Sequence, residues 1–220
     1  MIDTIGFKMH VTDKVLARLK DECQLQQLGI KLYHGGYFFL KHPFGLANPR
    51  VNIDWVRRTL SVETSVVKFL QGHNIFGTNR VQFLCLSMAK QLYHQIGLSF
   101  TPDEIKIVRE KRFQLNRLDL VCSYRLNSQS EVVDALEECF NHLRATGRNW
   151  SVYGKEGIET VYSGQSSTRV AEKFYNKYVE LTRRQIPSTV KERDSLLEIA
   201  KKLLRYEVVF RGKELRDQWR

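Results

Sequence analysis

Apolar and polar positions along this chain follow two rhythms, a two-residue alternation in short runs and a helical stripe in longer ones. Ile2 to Met9 reads as a strand. Thr12 is placed to cap a helix to about Glu22, with Val15, Leu16 and Leu19 on one face. The runs Gly29 to His34 and Tyr37 to Lys41 flank His34-Gly35-Gly36, a hairpin signal. Val51 to Val56 and Thr59 to Leu70 read as extended. Thr78 is placed to cap a long helix to about Ile96, striped by Val81, Leu84, Cys85, Met88, Leu92 and Ile96. Phe113 to Tyr124 is the next strand. Ser128 or Ser130 caps a helix to about Ala145, and Gly147 and Gly154 punctuate a loop. Thr160 to Tyr162 is a short strand. Thr189 and Glu192 have capping-box spacing for a helix ending near Leu204, and Tyr206 to Arg211 closes the chain as a strand.

Strands and helices are mixed without the regular alternation of a parallel sheet. The predicted class is therefore α+β, a central and mostly antiparallel sheet with helices packed on it. No repeat, low-complexity tract or Pro/Gly linker divides the 220 residues, and Ala145 to Gly157 reads as a long loop. The expectation is a single domain over residues 1–220, either complete or the N-terminal part of a longer protein. With 42% hydrophobic residues the chain can build a core, yet its longest apolar run, Val81 to Ala89, is about half a membrane span. The N-terminus lacks the basic and apolar regions of a secretory signal. Cys23, Cys85, Cys122 and Cys139 form no C-x-x-C pair and read as small core residues in a reducing compartment.

Charge narrows the class of partner. The net charge is +11, and seven of those charges lie beyond residue 140, interleaved with Trp150, Tyr153, Tyr162, Phe174, Tyr175, Tyr178 and Tyr206. Cations neutralise phosphates and aromatic faces stack on unpaired bases, so the composition points to nucleic acid.

Four stretches carry candidate chemistry. Lys68 to Thr78 joins a strand to a helix through Gly72 and Gly77, with Thr78 at a helix start suited to a phosphate. His73 in that loop is either a metal ligand or proton shuttle, or a hydrogen-bonded anchor. Asp119, in Arg117-Leu-Asp-Leu, is an acid inside an apolar strand, which calls for an ion pair such as Arg117 or for a cation. Arg205-Tyr-Glu207 repeats that grammar. Side by side, the two strands would set Asp119 and Glu207 on one face, as a Mg²⁺ or Mn²⁺ site or as two structural Arg–carboxylate contacts. The fourth stretch, Tyr162 to Glu180, holds Tyr175 and Lys177. On a strand these share a face; on a helix they do not, and the pattern leaves the choice open. A tyrosine near a cation and a metal can attack phosphorus, although packing is the commoner use of a tyrosine.

Together these stretches resemble the gene II replication initiators of filamentous bacteriophages and their relatives among phage and plasmid replication proteins. The similar segments are Met1-Ile-Asp3, His42-Pro-Phe44, Leu70-Gln-Gly-His-Asn-Ile-Phe-Gly-Thr78 with Ser65 and Lys68 ahead of it, Arg117-Leu-Asp119, Phe174 to Leu181 and Leu204-Arg-Tyr-Glu207. Tyr162-x-Gly164 and Tyr175-Asn-Lys177-x-x-Glu180 are also similar to a pattern of rolling-circle plasmid initiators, with Asn176 where those have Asp. The resemblance implies a fold related to the nuclease domains of rolling-circle initiators. It implies a site- and strand-specific nicking and closing endonuclease that keeps the 5′ phosphate on a tyrosine. Tyr175 would be the nucleophile and Lys177 the accompanying cation. Asp119, Glu207 and His73 would hold Mg²⁺ or Mn²⁺, and Lys68, Asn74, Thr78, Arg117, Arg169, Lys173 and Arg205 would contact DNA. No His-hydrophobic-His pair occurs, so the metal ligands of HUH nucleases have no direct counterpart. The implied partners are origin DNA of a phage or plasmid, single-stranded or supercoiled, and host replication helicase and polymerase. The implied location is the cytoplasm of a bacterial host, with no membrane; oligomeric state is not legible. The alternatives are a non-catalytic origin-binding regulator on the same fold, with Asp119 and Glu207 as ion pairs, and a nuclease using activated water.

Overall fold

The computed structural model describes residues 1–111, 113–146, 149–155, 157–184 and 186–218. The chain runs β1 (Ile2–His10), α1 (Asp13–Lys20), α2 (Glu22–Gln27), β2 (Tyr37–Phe39), β3 (Arg50–Asp54), β4 (Thr59–Ser65), α3 (Val66–Gln71), α4 (Val81–Gln95) and α5 (Pro102–Lys111). It continues through β5 (Gln114–Arg125), α6 (Gln129–Arg144), β6 (Trp150–Tyr153), β7 (Thr160–Ser163), β8 (Val170–Asn176), α7 (Lys177–Arg184), α8 (Arg193–Lys201), β9 (Leu203–Arg211) and α9 (Gly212–Gln218). The nine strands among the described residues join one antiparallel sheet in the order β2-β3-β4-β1-β5-β9-β8-β7-β6. This is the α+β class that the patterning predicts.

The sheet's alternation sorts its two faces. In β5, Leu118 turns into the main core with Ile5, Phe7 and Phe210, while Arg117 and Asp119 point to the other side. α6 covers Val161 and Leu204 through Val132 and Leu136, with Phe174 packed at the edge of that cluster. Tyr162, Lys173 and Glu207, which alternate with those residues, are left on the opposite face. There a third cluster, Ile75, Leu181, Val190, Leu196 and Leu203, seats α7 and α8. Among the described residues no helix is long and apolar enough to cross a membrane.

Several local expectations change. The first helix stops at Asp21, whose carboxylate accepts Gln24 N–H at 3.0 Å and starts α2 instead. His34 to Gly36 does turn, but only Tyr33 bridges back to Tyr37, and β2 pairs with β3. The extended run from Thr59 breaks at Ser65 into α3, which buries Val66, Val67 and Phe69. That helix ends at Gly72, with φ of 82°, where a Cβ would lie 2.4 Å from Val190 Cγ2. Thr78 does not begin α4. Its carbonyl accepts Ile2 N–H, its hydroxyl accepts Arg80 N–H, and the helix starts at Val81. The Thr189/Glu192 capping box does not form, because Glu192 takes a left-handed backbone and makes no side-chain cap. Ser128, not Ser130, caps α6. Inside the expected loop from Ala145 to Gly157 lies β6; Gly147 lies outside the described residues. Only Cys85 is buried; Cys23 and Cys122 are exposed and Cys139 is half-buried.

Candidate active site

Tyr175 and Lys177 fall on either side of an element boundary. Tyr175 is the penultimate residue of β8, and Lys177 opens α7. Asn176 makes the change of direction: its Oδ1 accepts the N–H groups of Tyr178 and Val179, as a helix cap does. Tyr175 pairs with Arg205 across β8 and β9, and Lys173 pairs with Glu207. The Tyr175 hydroxyl donates to Glu207 Oε2 at 3.2 Å, and Lys173 Nζ reaches Glu207 Oε1 at 2.6 Å. Lys173 also lies 5.2 Å from the centre of the Tyr175 ring.

On the neighbouring strand β5, Asp119 pairs with Val209 and Val121 with Glu207. Asp119 and Glu207 therefore share a face, one row apart, as the strand grammar predicts. Arg117 clasps Asp119 with Nε and Nη2, both at 2.8 Å, and reaches Glu63 at 2.5 Å through Nη1. Arg117, Asp119, Lys173, Tyr175 and Glu207 line a cavity of about 410 Å³, with Asp3, Ser65, Lys68, Glu159, Tyr162, Glu180 and Arg183 on its walls.

Four of the five carboxylates in this cavity have a cation. Asp119 has Arg117, Glu207 has Lys173, Glu159 has Arg183, and Glu180 has both Lys68, at 3.5 Å, and Lys177. Asp3, although buried, has no ion pair among the described residues. Its Oδ1 accepts Ser65 Oγ at 2.7 Å and Asn74 Nδ2 at 2.8 Å. Asn74 Oδ1 in turn accepts Lys177 Nζ at 2.6 Å. The cavity floor is thus a continuous polar chain from β1 through the loop after α3 to α7.

Burial sets the protonation balance. It pushes the Glu207 carboxyl up to about 7, against the pull of Lys173. It raises the Tyr175 hydroxyl well above 10, and Glu207 adds to that rise. It lowers Lys177 to about 8, although Glu180 opposes the change.

The other residues that the sequence nominates divide. Lys68, Asn74, Arg117 and Lys173 line the cavity, but Asn74 is buried with both ends of its amide bonded. Lys177 is 0% exposed and lies behind the wall. Arg205 is also 0% exposed; its Nη2 donates to the carbonyls of Asn74 and Ile75, so it props the loop and has no surface to offer DNA. Arg169 sits just ahead of β8, at the end away from Tyr175, paired with Glu214 and Asp217 of α9, and Thr78 is tied to β1 and Arg80. His73 is not on the cavity wall. Its Nδ1 accepts Ile75 N–H at 3.3 Å, the anchor role, and burial followed by Lys177 and Arg205 lowers its pKa. Sequence reasoning missed Asp3, Glu159 and Arg183 as wall residues. The first carried a signal, an acid among apolar residues of β1; the other two sit in ordinary polar stretches.

Divalent metal fits this donor set in part. Among the described residues no three His, Cys, Asp or Glu side chains group closely enough to hold an ion. Two hard carboxylates do share the face, and Mg²⁺ often takes one or two carboxylates and completes its shell with water and phosphate oxygens. Each oxygen of Asp119 and Glu207 accepts one of the contacts described above and keeps a second lone pair.

A family model for the N-terminal part of the phage replication-associated protein, the filamentous-phage gene II product, matches residues 1–219, and the chain belongs to that family. It is 26% identical over 163 residues to the replication-associated protein of the same type from Enterobacteria phage I2-2. That match takes in 72% of this chain and 46% of the relative, so it spans about half of the relative's length. Among solved structures, the rolling-circle replication initiator protein from Geobacillus stearothermophilus aligns with all of this chain and 79% of its own, at 14% identity and a TM-score of 0.42.

Proposed function

We propose that this chain is the nuclease domain of a rolling-circle replication initiator, which nicks and rejoins one DNA strand at an origin through Tyr175. The observation that carries this reading is the Tyr175–Glu207–Lys173 arrangement, a phenol held by a carboxylate in a cavity walled by paired cations and carboxylates. Glu207 Oε2 orients the hydroxyl and holds its hydrogen. Lys173, Lys68, Arg117 and Arg183 offer positive charge to the phosphates of an entering strand. As the P–O3′ bond breaks, the Tyr175 oxygen bonds to phosphorus and its proton passes to Glu207 Oε2. The product is a 5′-phosphotyrosine and a free 3′-OH, which takes up a proton. The phosphotyrosine conserves the energy of the broken bond, so rejoining reverses the step without ATP. Lys177 acts from behind the wall, through Asn74 and Glu180. Asp119 and Glu207 would hold Mg²⁺ or Mn²⁺, whose role is to offset charge on the phosphoryl oxygens. Origin DNA in a bacterial cytoplasm is the substrate on this reading, with host helicase and polymerase acting on the nicked product.

A non-catalytic origin-binding module is the second reading. It is favoured by one observation, that Asp119 and Glu207 already have cationic partners. Incubation with a supercoiled origin plasmid and Mg²⁺ or Mn²⁺ separates the two. Nicked circles that vanish with chelator and with Asp119→Asn support the enzyme. A mobility shift without nicking, unaffected by chelator, supports the binder.

A further inference from the structure

The pairing registers align five residues in one row across the cavity-bearing face: Val121, Glu207, Lys173, Tyr162 and Ser151. Tyr162 stands two strands from Glu207, about 10 Å at the usual strand spacing. It lines the charged cavity on one side and a second groove on the other, formed with Asn149, Ser151, Ser163, Gln165 and Ser166. The two sites differ in kind. The cavity wall is charged, whereas the second groove has hydroxyls and amides and no charged side chain among the described residues.

The groove is built rather than incidental. Gly164, with φ of 72°, turns the chain where a Cβ would lie 2.6 Å from Val170 O. Arg211 Nη1 donates to the carbonyls of Gln165 and Ser167, pinning the loop. Tyr153 donates to Gln165 Oε1 at 2.6 Å, which leaves the Gln165 amide N–H groups as the free donors. Tyr162 itself is half-buried, and among the described residues no ring stacks on it and its hydroxyl has no hydrogen bond. On the opposite face the neighbouring Phe174 ring contacts both Trp150 and Tyr206.

We infer that Tyr162 and the groove beside it bind a nucleobase of the DNA strand whose phosphate enters the Tyr175 cavity. The ring offers a stacking face, and Asn149, Ser151 and Gln165 offer neutral donors and acceptors for the base edge. Lys173, between Tyr162 and Glu207, carries the intervening phosphate. A base suits this groove because it presents a π-face and hydrogen-bonding edges without charge. The inference rests on the reading of single-stranded DNA as substrate, and its test keeps the two apart.

The probes are a fluorescent ten-residue thymidine strand and a strand of the same length and phosphate count with every base removed. Binding is followed by anisotropy for wild type, Tyr162→Ala, Tyr162→Phe and Gln165→Ala, with thermal melts confirming the fold of each. Wild type is expected to prefer the base-bearing strand. Tyr162→Ala should lose roughly tenfold in affinity for it and keep its affinity for the abasic strand. Tyr162→Phe should retain the preference, and Gln165→Ala should reduce it. Equal binding of the two strands by wild type, or equal weakening of both by Tyr162→Ala, overturns the base subsite and leaves the DNA reading standing. Failure of wild type to bind either strand overturns both.

Discussion

The Tyr175 hydroxyl and the Glu207 carboxylate meet at 3.2 Å across the pairing of β8 with β9, although the two residues are not direct partners in the ladder. Tyr175 is opposite Arg205 and Lys173 opposite Glu207, so the contact is diagonal, within reach of a tyrosine side chain. Two ladder positions therefore deliver a candidate nucleophile, a carboxylate and a cation to one point. The loop carrying Asn74 and the start of α7 close the floor beneath them.

Holding Glu207 in that place costs stability. Its carboxyl has a folded-state pKa of about 7 against an ordinary 4.5. Between those values the folded chain keeps a proton that the unfolded chain has released, so stability falls as pH rises through the window. Glu207→Gln should remove that cost. We expect it to raise stability by about 1–3 kcal/mol at pH 8 and to match wild type near pH 4, in melts with chelator present. A variant less stable than wild type at pH 8 would show that the ion pair with Lys173 outweighs burial.

Asn74 bridges Asp3 and Lys177, two buried groups of opposite charge. Asn74→Ala would leave both short of a partner, at a cost of about 2–3 kcal/mol, or a melting point lower by roughly 5–10 °C. Thermal melting of the variant checks this. An unchanged melting point would mean that water replaces the amide on both sides.

Arg183 lines the cavity mouth and pairs with Glu159. If it neutralises one phosphate of a bound single strand, Arg183→Gln should reduce the slope of log affinity against log salt by about 0.7. A variant with weaker binding but the wild-type slope would place Arg183 away from the phosphates.

Much of this arrangement was legible in the chain. The alternation of Arg117, Leu118 and Asp119 shows which side chains leave the core, and the same grammar at Arg205 to Glu207 puts both acids on one face. The residues that misled did so for long-range reasons. Arg205 looks like a DNA contact in sequence, but the loop at Asn74 and Ile75 folds over it. Thr78 has the composition of a helix cap, yet β1 claims its carbonyl. Lys177 follows Tyr175 at a strand's spacing and then begins a helix, because Asn176 caps that helix. α5 was missed despite a local signal, Thr101 and Glu104, whose side chains cap each other's backbone N–H groups. The row from Glu207 to Ser151 needed the register of four strands, which no local pattern carries.

On the nicking reading, Tyr175 becomes covalently bonded to DNA. The most direct measurement uses an origin-bearing strand labelled on the 3′ side of the nick, incubated with protein and Mg²⁺ or Mn²⁺. Denaturing electrophoresis and mass spectrometry of the labelled peptide then follow. A covalent adduct on the peptide containing Tyr175 is expected, absent in Tyr175→Phe, with DNA binding retained by that variant. Cleavage by Tyr175→Phe, or cleavage by wild type with the label never on protein, would rule out Tyr175 as the nucleophile.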